Sequence, residues 1–212
     1  MYTYTGPSWA ASSYPVADEV VASGEAINLA KLWNMPHVDQ SRPGVHAITN
    51  LKKLYEQKEK GPVVWIYNEP LNVLERATNM EEKEFLISNN WKEIWHECNQ
   101  FCLNSIARLG RPVLLFGAHS DIVDCEHNNI QVGHKSWQRF LAEQAGMVTN
   151  KIKVPEVCWG ADVVHRYMYQ NTKIKPNKDL VDEVYNVFAF WKHLEKSNLF
   201  YDVHPNLRGN KL

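Results

Sequence analysis

Short apolar runs alternate along this chain with longer stretches in which apolar positions recur every three or four residues. Tyr2-Thr3-Tyr4-Thr5 joins aromatic and β-branched residues and predicts a strand. Val16 to Ser23 predicts a short helix closed by Gly24, and Ala26-Ile27-Asn28-Leu29 a second strand. Residues 34–44 are turn-rich and predict a loop. Helical spacing returns from Val45 to Lys60, with Ile48, Leu51 and Leu54 along one face. Pro62 to Tyr67 is nearly all apolar, the pattern of a strand covered on both faces in a parallel sheet. A long helix is predicted from Met80 to Leu109. Its stripe runs through Trp91, Ile94, Trp95, Cys98, Phe101, Cys102 and Leu109, and Gly110 ends it. Pro112 to Phe116 predicts another buried strand, and residues 117–136 a polar, His-rich insertion loop. Helices are predicted at Trp137–Gly146 and Asp179–Lys196, the second with Leu180, Val184, Val187, Phe188, Trp191 and Leu194 on one side. A helical piece falls near Ala161–Gln170, and Leu199-Phe200-Tyr201 is a brief extended piece.

Strands alternating with helices predict a three-layer α/β/α sandwich around a mostly parallel central sheet. At 212 residues the chain fits a single domain spanning 1–212. No segment reaches the roughly 18 uninterrupted apolar residues of a membrane span, and MYTYTGPSWA lacks the basic-then-apolar order of a signal peptide. Lys plus Arg is 23 against 24 for Asp plus Glu, a net charge of −1, which argues against nucleic acid as the main partner. Cys98, Cys102, Cys125 and Cys158 are too sparse for a disulfide scaffold and fit free thiols in a reducing cytoplasm.

In a parallel sheet, sites gather at the carboxyl ends of the strands. Gly6-Pro7-Ser8 follows the first predicted strand, Arg42-Pro43-Gly44 follows the second past a loop, Asn68-Glu69 follows the third, and Asp202-Val203-His204-Pro205-Asn206 comes near the chain's end. Together they make an acyl-transfer kit. A serine hydroxyl needs a base to become a nucleophile, and histidine is the usual one. A tetrahedral intermediate needs donors aimed at its oxyanion, and the N–H groups of Ser8 and Gly44 with the Asn68 amide would supply three.

In that order and spacing, Ser8, Gly44, Asn68 and His204 resemble the four signature blocks of the SGNH (GDSL-like) hydrolases. Gly6-Pro7-Ser8 stands where the family has Gly-Asp-Ser. Asn28-Leu29-Ala30 leading to Gly44 and Asn50 resembles the oxyanion-glycine block. Val63 to Glu69 resembles the apolar strand ending in Gly-x-Asn-Asp, and Asp202 to Asn206, with Gly209 behind, resembles the Asp-x-x-His-Pro-Asn ending. The resemblance covers residues 2 to 210. It implies a flavodoxin-like sheet and a cofactor-free esterase with no metal. Ser8 would be the nucleophile, His204 the base and Asp202 its orienting acid. Ser8, Gly44 and Asn68 would form the oxyanion hole, and Trp9, Glu69 and His119 would border the substrate, a small-molecule or carbohydrate acyl ester.

The chain departs from the family's pattern at four places. Pro7 replaces Asp before the serine, Ile66 stands where Gly is usual, Glu69 replaces Asp, and Asp202 lies two residues before His204 rather than three, with Tyr201 at the family's acid position. These departures motivate an alternative, a non-catalytic binding protein that keeps the fold. A further alternative is a metal site built from His96, Cys98, Cys102, His119, Asp121, Asp124, Cys125, His127 and His134, since zinc takes such ligands.

Overall fold

The computed structural model describes residues 1–6, 35–42, 47–58, 60–67, 91–147, 178–197, 199–201 and 204–205. The chain opens with β1 (Tyr2–Thr5), followed among the described elements by β2 (His37–Asp39), α1 (Ala47–Glu56) and β3 (Val63–Tyr67). Then come α2 (Trp91–Ala107), β4 (Val113–Gly117), β5 (Ile130–His134), α3 (Trp137–Gln144), α4 (Lys178–Lys196), β6 (Phe200–Tyr201) and β7 (His204–Pro205). The predicted pieces at Val16–Ser23, Ala26–Leu29 and Ala161–Gln170 lie outside the described residues.

β1 to β5 form one sheet in the order β2-β1-β3-β4-β5, and every pairing is parallel. This is the flavodoxin-like order, in which the chain winds outward from β1 in one direction to β2 and then in the other through β3 to β5. β6 and β7 pair antiparallel in a separate two-stranded sheet, Tyr201 opposite His204.

Registered neighbours in a parallel sheet share a face. Thr3, Thr5, Val63, Trp65, Tyr67, Val113 and Leu115 therefore line one side. Thr3 bonds to Gln57 just past α1, and Tyr67 bonds to Asn99 of α2, so α1 and α2 cover that face. Phe116 on the other side packs against Trp137 of α3. Trp191 of α4 in turn donates Nε1–H to Gln138 of α3 at 3.3 Å. The fold is thus a three-layer α/β/α sandwich. Trp65, Leu115, Leu103, Ile106 and Leu54 are fully buried on the α1–α2 side, and Leu141 and Leu194 on the other.

Three sequence expectations change. Residues 34–44 hold strand β2, whose His-Val-Asp has one apolar residue and no alternation to mark it. The span 117–136 holds strand β5, an edge strand whose Gln131 and Gly133 are exposed. Edge strands bury little and carry a weak apolar signal. The buried stripes are also rotated. In α1 the buried positions are Ala47, Asn50 and Leu54, with Ile48 51% exposed. In α2 they are Trp95, Asn99, Cys102, Leu103 and Ile106, and Phe101 points out at 67% exposure.

The helix ends follow local chemistry. Gly110 adopts a left-handed φ of 63° just past α2, as expected of a terminating glycine. Ser136 caps α3, its side chain accepting from the Arg139 N–H at 3.0 Å. No helix among the described residues is long and apolar enough to cross a membrane.

Candidate active site

In an open parallel sheet a crevice forms outside the carboxyl ends of the strands, where the winding direction reverses. Here the reversal lies between β1 and β3. β1 ends at Thr5 and its neighbour β3 at Tyr67, with Thr5 in register with Trp65. Gly6, at φ 154°, lets the chain leave β1 in a conformation that side-chain-bearing residues rarely adopt. Its carbonyl accepts the Arg42 N–H at 3.1 Å, and Gln40 N–H donates to Tyr4 O at 2.8 Å. The exits of β1 and β2 are therefore stapled together, two residues before Ser8 on one stem and two residues before Gly44 on the other.

Tyr67, the residue before Asn68, is anchored in two directions. Its carbonyl accepts the Ala118 N–H at 2.9 Å, which ties the end of β3 to the turn after β4. Its hydroxyl donates to Asn99 Oδ1 at 3.0 Å in the buried layer under α2.

The turn after β4 is tight. A Cβ on Gly117 would lie 2.0 Å from Lys135 O and 2.7 Å from Ser120 O, both backbone atoms, so only glycine fits. That turn buries His119 and Ser120, which are 5% and 6% exposed. Asp121 receives a bidentate clamp from Arg139, whose Nε lies 3.0 Å from Oδ1 and whose Nη2 bonds Oδ2.

Several polar atoms near this edge are buried without a hydrogen-bond partner. They include Thr5 Oγ1, Gln40 Oε1, Trp65 Nε1 and both side-chain amide atoms of Asn50. Asn50 sits on the sheet-facing stripe of α1, seven residues ahead of Gln57, whose amide reaches Thr3 Oγ1 at 2.9 Å. Two helical turns, about 10 Å, thus carry it from the level of Thr3 toward the carboxyl edge.

Ser8, Trp9, Gly44, Asn68, Glu69 and Asp202 lie outside the described residues. The backbone of His204 is described in β7, joined to β6 through Asp202 and Val203 and outside the central sheet. The described structure thus brings together the stems bearing Ser8 and Gly44 and sets Tyr67 on the adjacent strand. It does not join the His204 strand to them. His119, expected beside the substrate, is a buried residue at the carboxyl end of β4.

The metal alternative gains no site. Among the described residues, no three His, Cys, Asp or Glu side chains converge. Four of the residues that prompted it make other contacts. Asp121 is held by Arg139, and Asp124 by Lys135 at 3.0 Å. His127 Nε2 pairs with Asn104 Oδ1 at 2.8 Å, and His134 stacks on Phe140 with ring centroids 4.3 Å apart. Burial pushes the Cys98 and Cys102 thiols up.

The buried Asn99 that holds Tyr67 was not singled out by the sequence pattern. Its one signal was position, since a polar residue at i+4 from Trp95 and i−3 from Cys102 falls on the buried stripe of α2.

No known protein family matches the chain, and no curated protein sequence matches it. Among solved structures, the crystal structure of the Bacillus subtilis protein YxiM is similar to it, with 15% identity and a TM-score of 0.41 over 99% of this chain and 52% of that one. The chain spans about half the length of that protein.

Proposed function

We propose that this chain is a serine hydrolase of the SGNH type that cleaves acyl esters. The observation that carries the reading is the Gly6–Arg42 backbone bond between the exits of β1 and β2, next to the β1–β3 junction at which the parallel sheet reverses its winding. It joins the two stems that lead to Ser8 and Gly44, beside the strand that leads to Asn68. Sites in such sheets form at this crevice.

In this reading Ser8 Oγ attacks the ester carbonyl carbon while His204 takes its proton. The N–H groups of Ser8 and Gly44 and the side-chain amide of Asn68 stabilise the oxyanion. The intermediate collapses, and the alcohol leaves with the proton held by His204. Water then attacks the acyl-enzyme, His204 again taking and returning the proton, and the acid is released. Asp202 orients the imidazole. The near-balanced charge fits a neutral or mixed substrate, such as a short acyl ester or an O-acetyl group on a carbohydrate.

The test is Ser8→Ala with p-nitrophenyl acetate as substrate and a fluorophosphonate probe as label. Loss of turnover and of labelling, with the far-UV circular dichroism spectrum unchanged, is expected. Undiminished turnover overturns the assignment. An unlabelled wild-type protein that still binds an ester ligand points instead to a binding protein on the same fold.

A further inference from the structure

We infer that the outer ridge of α2 is a self-pairing surface, on which the α2 of a second copy of this chain lies antiparallel about a two-fold axis. The inference is independent of the hydrolase reading.

The argument starts from the helix itself. α2 turns Trp95, Asn99, Cys102, Leu103 and Ile106 inward. On the opposite side Glu97, Phe101, Asn104 and Arg108 are all exposed. Their spacing of four, three and four residues sets them in one line along the helix. Arg108 directly follows the last residue of α2, and its N–H still bonds to Asn104 O at 3.3 Å, so the line continues to it. The ridge is roughly 16 Å long. Steps of four and three are the pattern by which two helices interlock along their length.

The surface extends onto α1. Ile48 and Tyr55 lie two turns apart there and are 51% and 46% exposed. The Tyr55 hydroxyl donates to Ser105 O at 3.0 Å, one turn of α2 beyond Phe101. Large apolar side chains gathered on one exposed face mark a site of association.

The charges select the occupant. Glu97 stands at one end of the ridge and Arg108 at the other, and neither is in an ion pair among the described residues. The neighbouring charges of α1, Lys52 and Glu56, already face each other at 3.8 Å. An antiparallel second ridge brings Glu97 of each copy opposite Arg108 of the other, and Phe101 opposite Asn104. A two-fold axis makes every such contact twice. A parallel arrangement would set glutamate on glutamate and arginine on arginine, which is repulsive at both ends. Asn104, the polar member at the middle, is anchored through its Oδ1 to His127 at 2.8 Å.

The test is sedimentation equilibrium on the whole 212-residue chain, with far-UV circular dichroism to check folding. A concentration-dependent monomer–dimer equilibrium is expected. Glu97→Arg and Arg108→Glu each oppose like charges at both ends of the pair and should raise Kd about 10-fold or more. The double variant should recover the wild-type Kd. An equimolar mixture of the two single variants should form a heterodimer tighter than either homodimer, because a basic ridge then meets an acidic one. Phe101→Ser, at a position already exposed, should also weaken the dimer. If it fails to fold, the charge variants decide alone. A wild-type chain that stays monomeric up to its solubility limit overturns the inference. So does a dimer that both charge reversals leave intact, or one whose single variants fail to complement each other on mixing.

Discussion

The two edges of the central sheet are built on opposite principles. At the amino edge, Arg111 is 2% exposed and ties together four pieces of chain. It lies two residues before β4, and its guanidinium donates to Gly61 O at 2.6 Å, Gln57 Oε1 at 3.1 Å and Thr3 Oγ1 at 3.2 Å. Asn129 closes the same edge by donating to both Ala107 O and Arg111 O. Gly61 packs so closely that a Cβ there would lie 2.5 Å from Met1 O. The Tyr2 hydroxyl, buried without a hydrogen-bond partner, is an exception at this edge.

At the carboxyl edge the chain instead turns tightly at Gly117, and Thr5, Gln40 and Asn50 keep buried polar atoms without a partner. Buried polar groups are nearly always paired, and exceptions gather where a protein holds polarity ready for something else. The difference teaches that long-range side-chain hydrogen bonds are denser at the amino end of the strands than at the carboxyl end.

Three substitutions sharpen or break that contrast. The largest effect is expected from Arg111→Met, which removes three hydrogen bonds from a buried junction and takes from Gly61 O the donor it has there. Stability should fall by about 3 kcal/mol, read as a lower urea midpoint, while ester turnover per folded molecule holds. A loss of turnover at full stability would show that the amino edge is not purely structural.

Gly117→Ala comes next. Its new methyl must push two backbone carbonyls apart, at a cost of about 2 kcal/mol. Because the turn carries Ala118, whose N–H holds Tyr67 O, turnover should drop with it. A fully active, equally stable variant would show that the turn is loose.

The smallest effect is the most discriminating. Asn50→Leu replaces unpartnered amide atoms with an apolar side chain of similar size, and stability should rise by about 1 kcal/mol. A fall of that size would mean that something in solution satisfies Asn50, and the two edges would then differ less in polar satisfaction.

Much of this architecture is legible in the chain. β3 and β4 are apolar runs, and both are inner strands of the sheet. α4 was readable from Val187, Trp191 and Leu194, all buried as spaced. β2 and β5 were not readable, because they sit at the sheet edges with mixed composition and take their conformation from the neighbour they pair with. The stripes of α1 and α2 were misplaced for a related reason. Apolar residues such as Ile48 and Phe101 fit the helical period, yet Asn50 and Asn99 take the sheet-facing positions. A polar residue on the inner face leaves no trace in a hydrophobicity pattern.

By itself, the sequence determined the α/β class, the parallel sheet and the order in which Ser8, Gly44, Asn68 and His204 follow one another. These depend on local composition and on periodicity within one element. The strand order, the bond that staples Gly6 to Arg42, and the meeting of Tyr67 with Asn99 across 32 residues were decided only in three dimensions. Each is a pairing between distant segments, whose partner is chosen by the packing of the whole sheet rather than by any local stretch of chain.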